Sequence, residues 1–233
     1  MPDELAKDLC WYCNEEAGMG HFCTHCVKLQ PFCYKEDYFR FMGLKRCLKL
    51  DPKKLEEAFY TLSRKFHPDF YQDKSEKEKA FSLERSAALN NAYQVLKDPV
   101  QRIEYLLNLE FPLPEKERAK APAALLQEIL EIQEVLESYR EAKSAGDPKR
   151  LGSLKAEADK VSRDVLDKIR QREKALEAAC AEWDRLTATA VPSMEALKEA
   201  KQKQAQKLRS ILDELTYLQT LVQSIQAGGP VIH

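Results

Sequence analysis

The tripeptide His67-Pro68-Asp69 stands between two amphipathic stretches and constrains this chain more than any other feature. Pro68 disfavours the helical region for His67, and Asp69 tends to bond its own backbone, so one helix cannot run through all three. The chain must turn there. A polar turn between helices faces solvent, where recognition is commoner than packing.

Upstream, Asp51-Pro52 reads as an N-cap followed by proline at the first helical position. Leu55, Phe59, Leu62 and Phe66 then recur every three or four residues and share one face. Lys53, Tyr60 and Arg64 fall on the opposite face, flanked by Lys54 and Lys65. Downstream, Ser75-Glu76-Lys77-Glu78 has capping-box spacing, and Phe81, Ala88, Ala92 and Val95 form the expected second stripe. Asp98-Pro99 ends that helix and starts another, with Ile103, Leu106 and Leu107. Two antiparallel helices with facing stripes make a helical hairpin.

Arg64-Lys65-Phe66-His67-Pro68-Asp69, followed by Asn90-Asn91-Ala92-Tyr93-Gln94-Val95-Leu96, resembles a J-domain. That resemblance implies stimulation of ATP hydrolysis by a DnaK-type chaperone. Asp37-Tyr38-Phe39 at the opening and Arg102-Ile103-Glu104-Tyr105-Leu106-Leu107 at the close are similar to the HscB family of iron–sulfur co-chaperones. A general J-protein keeps a denser basic cluster in the helix before the tripeptide, where this chain has Phe59, Tyr60 and Thr61. The resemblance implies chaperone contacts at His67, Pro68, Asp69, Arg64 and Lys65, and places no catalytic residue in this chain.

Cys10-x-x-Cys13 and Cys23-x-x-Cys26 are two pairs with metal-ligand spacing, separated by nine residues. Four thiolates complete a tetrahedral zinc shell with no open position. The surrounding segment has little apolar material, so binding free energy would serve as folding free energy. A structural zinc ion is the expectation. A disulfide framework is the competing reading, and thiolates alone also admit iron. Some HscB-family members, animal mitochondrial ones among them, carry a similar two-pair module. His21 and His25 are expected at the surface or behind the ligands, with Trp11 and Phe22 packed over the metal loops. Cys33 is expected as a free thiol, and Cys47 and Cys180 as small buried residues.

The 233 residues carry 37 basic and 38 acidic side chains. That balance argues against sequence-wide affinity for nucleic acid or an anionic membrane. No apolar run approaches the roughly 20 residues that span a bilayer. The opening residues lack the order of a secretory or mitochondrial leader, so a bacterial cytoplasmic protein is expected. Few glycines and few β-branched runs indicate an all-α fold. Its parts are a cysteine module at 1–34, a J-domain at 35–110, a proline-bracketed linker at 111–122 and a three-helix bundle at 123–228. Helices over roughly 123–145, 148–190 and 193–227 are separated by Gly146-Asp147-Pro148 and Val191-Pro192-Ser193. The middle one is long enough to bend or fray at its centre, and no internal repeat is evident.

In the first C-terminal helix Leu125, Leu126, Ile129, Leu130, Ile132 and Leu136 make a stripe wider than one packing face requires. Periodicity alone is met by a bundle that buries every leucine. The resemblance implies instead that part of the stripe binds an IscU-like iron–sulfur scaffold. It carries Leu126, Leu130, Glu131 and Glu134 into that role, with Tyr217 on the last helix. The resulting expectation is a two-ended co-chaperone linking a DnaK- or HscA-type ATPase to the scaffold. A general J-protein with another client is the nearest alternative. A metal-dependent or redox enzyme would need an exchangeable or redox-active site at the four cysteines.

Overall fold

The computed structural model describes residues 9–18, 20–33, 36–113, 123–146, 148–188 and 193–228; within these, side chains at 123–126, 128, 129, 131, 136, 224 and 226–228 are not described. The fold is all-α, and the described residues divide between two compact units, Met1–Leu109 and Glu110–His233. Most of the expected linker at 111–122 lies outside the described residues.

In the first unit, α1 (Tyr38–Phe41) starts at Asp37, whose carboxylate accepts the Arg40 backbone N–H at 3.0 Å. Helix α2 (Pro52–Phe66) has Asp51 as N-cap, as the sequence indicates. Leu55, Leu62 and Phe66 are buried, while Lys53, Tyr60, Arg64 and Lys65 face solvent. Phe59 is only half-buried, its ring 4.4 Å from that of Tyr93. Helix α3 (Glu76–Lys97) opens on a complete capping box between Ser75 and Glu78. Its inner face differs from the expected stripe. Glu78, Ser82, Arg85, Leu89, Ala92 and Leu96 are the buried positions, with Phe81, Ala88 and Val95 at the margin. Polar residues on the inner face rotated the apolar pattern away from the true seam.

Helix α4 (Pro99–Glu110) closes the hairpin. Its buried Arg102 donates to the carbonyls of Leu48 at 3.0 Å and Leu96 at 2.6 Å. Opening and closing segments meet directly. The Tyr38 and Tyr105 rings stack at 4.6 Å, and the Tyr105 hydroxyl accepts the Tyr38 N–H at 2.9 Å.

The cysteine segment contains a structural repeat that the sequence hid. The Asn14 N–H returns to the Cys10 carbonyl at 3.0 Å, and thirteen residues later the Val27 N–H returns to Cys23 at 3.0 Å. Asn14 and Val27 both sit at φ +58°, and isolated bridges Leu9↔Glu16 and Phe22↔Leu29 close the two turns. Only the Cys-x-x-Cys spacing is shared between the halves, because backbone geometry, not side chains, makes the repeat.

In the second unit, α5 (Ala123–Ala145), α6 (Pro148–Ala188) and α7 (Met194–Gly228) follow the breaks read from the sequence. Gly146, at φ +68°, supplies the left-handed residue that ends α5. Helix α6 is continuous, so fraying at its centre is not found. Ile132 of α5, Val165 of α6 and Leu218, Leu221 and Ile225 of α7 share one core cluster. Trp183 is buried with its ring edge-on to Phe111 at 6.1 Å. Cys180 is buried as expected.

Candidate functional site

The tripeptide lies in the open at the tip of the α2–α3 hairpin. His67 ends α2 and also caps the next turn, its Nδ1 accepting the Asp69 N–H at 3.3 Å. Pro68 then starts a short 3₁₀ turn, Pro68–Tyr71. A turn was expected there, but the capping side chain is the imidazole and not the aspartate. Proline at a first helical position explains it, since its missing N–H costs nothing there. Both the His67 and Asp69 side chains are exposed, and Arg64 and Lys65 are exposed one turn earlier.

The turn stands on a firm base. The Phe66 carbonyl, an orphan at the α2 terminus, accepts the hydroxyls of Ser82 at 2.6 Å and Ser86 at 3.0 Å. The Lys65 carbonyl accepts the Tyr71 hydroxyl at 3.0 Å. Phe66 itself is fully buried, stacked on Phe41 at 6.0 Å. Neither serine was singled out by sequence reasoning. Their only signal is two hydroxyls four residues apart on the inner face of α3.

The four cysteines come together. The sulfurs of Cys10, Cys13, Cys23 and Cys26 all lie within 4.8 Å of one another. Cys10 and Cys26 are 3.5 Å apart, and Cys13 and Cys23 are 3.7 Å apart. A tetrahedron with bonds of about 2.3 Å has edges of about 3.8 Å, so the set fits one metal ion. Nothing joins them as disulfides. The sulfurs of Cys10 and Cys23 accept the N–H groups of Tyr12 and His25, both at 3.4 Å. At Cys10 burial opposes the thiolate, yet the N–H groups of Cys13 and Tyr12 outweigh it and bring its pKa to about 6. Burial pushes Cys26 up to about 12.

Trp11 and Phe22, expected over the metal loops, also meet the helices. Trp11 meets Phe81 of α3 at 5.6 Å and donates its indole N–H to the Leu29 carbonyl at 2.8 Å. Phe22 lies 6.4 Å from Phe66. His21 is neither a surface nor a metal-side residue. Its ring packs edge-on against Phe66 at 5.0 Å and Phe41 at 5.2 Å. Burial, with Arg85 and Lys65 nearby, lowers its pKa to about 4, so it is neutral and accepts from Arg85. His25 and Cys33 are exposed, and Cys47 is half-buried with its thiol directed at the Lys49 carbonyl. The ion pair from Lys28 to the buried Glu78, at 2.8 Å, also binds the segment to α3.

In the second unit Leu130 is 61% exposed, whereas Ile132, two positions on, is 6% exposed in the core. Part of the α5 stripe is thus left uncovered. Glu134 is exposed and Tyr217 is half-buried on α7. The side chains of Leu126 and Glu131 lie outside the described residues. Among the described residues, no helix is long and apolar enough to cross a membrane.

Residues 37–105 match the DnaJ domain family, which spans α1 to the middle of α4. The iron–sulfur cluster co-chaperone protein HscB of Mus musculus is 42% identical over 132 residues, 54% of this chain and 56% of that protein. The Homo sapiens protein of that name is 36% identical over 150 residues, 62% of this chain and 63% of its own. The crystal structure of human co-chaperone protein HscB superposes with a TM-score of 0.64 at 26% identity, covering 94% of this chain and 97% of that one. This chain therefore carries a DnaJ domain at residues 37–105 and is similar to the HscB co-chaperones over 54–62% of its length. It spans between half and just under two thirds of the curated relatives it matches. Those HscB relatives are named as co-chaperones of iron–sulfur clusters, and none is named as an enzyme.

Proposed function

We propose that this chain is a two-ended co-chaperone of the HscB kind, which stimulates the ATPase of a DnaK- or HscA-type chaperone and delivers an IscU-like iron–sulfur scaffold to it. The observation that carries this reading is the exposed His67-Pro68-Asp69 turn, braced at the tip of a hairpin inside the matched DnaJ domain. Arg64 and Lys65 beside it supply steering and charge-assisted hydrogen bonds to an acidic chaperone surface. Binding preferentially to one chaperone conformation shifts that conformation's population, and this chain itself makes and breaks no bonds.

The division of labour follows the domains read from the sequence, 1–34 for the metal, 35–110 for the chaperone and 123–228 for the scaffold. Leu130 is the best supported scaffold contact, since a leucine 61% exposed beside an acidic residue has more use as a contact than as core. Leu126, Glu131, Glu134 and Tyr217 complete the proposed patch. Holding client and trigger on one chain raises the client's effective concentration at the chaperone. Zinc is the ion proposed for Cys10, Cys13, Cys23 and Cys26, in a purely structural role. The cytoplasm is the proposed compartment, where cysteines stay reduced and free to bind metal.

One experiment tests both ends. Purified chain, chaperone and scaffold are combined, and ATP turnover and scaffold capture are measured for the wild type, His67→Gln and Leu130→Ala. His67→Gln is expected to abolish stimulation with helicity and scaffold capture intact. Leu130→Ala is expected to lose capture and keep stimulation. Undiminished stimulation by His67→Gln removes the chaperone end. A wild type that captures no scaffold leaves a general J-protein with another client.

A further inference from the structure

The cysteine segment and the tripeptide turn are joined by one side chain. Arg85 on α3 is 3% exposed, and each of its three guanidinium nitrogens reaches the cysteine segment. Nε donates to the Gln30 carbonyl at 2.7 Å, Nη2 to the Pro31 carbonyl at 2.9 Å, and Nη1 lies 2.8 Å from Nδ1 of His21. The face of the same guanidinium lies over the Phe66 ring at 5.5 Å and the Phe41 ring at 6.0 Å. Phe66 is the residue immediately before His67. Its ring also meets His21 and Phe22, which precede the ligand Cys23.

Apart from Leu29, 1% exposed, the segment that supplies these contacts buries little apolar material beyond its sulfurs. Its buried cluster is Cys10, Ala17 and Cys23, with Cys13 and Cys26 against it. Gln30 links the sulfurs to the guanidinium. Its carbonyl serves Arg85, and its side-chain amide donates to the Cys10 sulfur at 3.4 Å. A segment whose core is largely metal ligands keeps its shape mainly through the ion, because binding supplies much of its folding free energy. When the ion leaves, Arg85 loses three acceptors and Phe66 loses two aromatic neighbours.

We propose that Arg85 is a positioning residue through which the metal-bound cysteine segment holds the Phe66–His67 end of α2, so that metal loading sets how well this chain engages its chaperone. This rests on the co-chaperone reading and deepens it. The device acts through population: a turn presented correctly only part of the time weakens apparent affinity by that fraction and leaves the bound complex unchanged.

The test uses the full chain in three forms, metal-loaded wild type, metal-stripped wild type and metal-loaded Arg85→Lys. Lysine keeps the charge and loses the planar fork. Three things are read: chaperone ATPase against co-chaperone concentration, the His67 imidazole resonance by NMR, and the charge-transfer spectrum of the cobalt-substituted cysteine site. For Arg85→Lys the half-saturating concentration is expected to rise about tenfold at an unchanged maximum, as for a turn correctly presented a tenth of the time. Its cobalt spectrum and helicity are expected to match the wild type. Its His67 resonance should move in the direction seen on stripping the wild type. Phe22→Ala, which thins the cover over Phe66 without touching a ligand, takes its place if Arg85→Lys fails to fold. An unmoved His67 resonance, or an unchanged half-saturating concentration in stripped and substituted chains, overturns the proposal. So does a lost stimulation that tracks lost helicity. Loaded wild type that stimulates at no concentration overturns the co-chaperone reading itself, an outcome separate from the others because the resonance is read without chaperone.

Discussion

The two serines under the tripeptide turn offer a sharp energetic test, because they share one acceptor. Ser82 and Ser86 both donate to the Phe66 carbonyl, at 2.6 and 3.0 Å, and no backbone amide of α2 can reach that terminal group. Removing either hydroxyl leaves the carbonyl one partner. Removing both orphans it beside a fully buried ring. A neutral hydrogen bond is worth about 1 kcal/mol net, whereas a buried polar group left without any partner costs about 1–3 kcal/mol. Each Ser→Ala change also gains about 0.5 kcal/mol of helix propensity within α3. Single variants should therefore lose about 0.5 kcal/mol each. The double variant should lose about 2 kcal/mol, roughly 1 kcal/mol beyond the sum, and the propensity gains cancel from that interaction term. Native-state hydrogen exchange on the full chain, followed at the amides of α2 and α3, measures all three. Additive losses would show that the two hydroxyls do not share the carbonyl, and the brace under the turn would be wrong.

Two other outcomes rest on the same structure. The Asp37 carboxylate is buried, which opposes its charge, but Arg46 at 2.7 Å and the Arg40 N–H outweigh burial and hold its pKa below the ordinary 3.8. A lowered folded pKa gives stability that is full above the ordinary value and is lost as pH falls through the folded one. Thermal melts taken through that window should fall more steeply for the wild type than for Asp37→Asn, and parallel curves would refute it. Trp183, 1% exposed and beside the Lys201 ammonium at 5.0 Å, anchors α6 in the second unit. Trp183→Ala should cost about 3–5 kcal/mol, read as a lowered urea midpoint by circular dichroism, and a midpoint unchanged would show that this core is not where the unit's stability lies.

Local rules made most of the fold legible. Asp51-Pro52, Ser75 with Glu78, and Asp98-Pro99 each announce a helix start through a capping bond between near neighbours in sequence. The breaks at Gly146 and before Met194 are likewise short-range, and the helices of the second unit begin and end within two residues of where they were expected. The cysteine cluster was legible because metal chemistry fixes residue type and spacing together. Failure came on α3. Its apolar residues do not mark its inner face, since that face carries Glu78, Ser82 and Arg85, each bonded to something more than a dozen residues distant.

Those three residues show why the bracing of the turn was not readable. In a helix rich in lysine and glutamate, an arginine has every appearance of a solvated side chain, and nothing local distinguishes Arg85 from Arg64. What decides its burial is a set of acceptors 54 to 64 positions away in sequence: two carbonyls and an imidazole. No carboxylate is among them, so no charge pattern could have revealed the pairing. A buried guanidinium satisfied only by neutral acceptors is costly unless all of them are in place at once. That requirement makes the cysteine segment more than an appendage. Its backbone between Gln30 and Pro31 must be held in register for Arg85 to remain inside, and what holds it is the cluster of four sulfurs with Ala17, together with the buried Leu29.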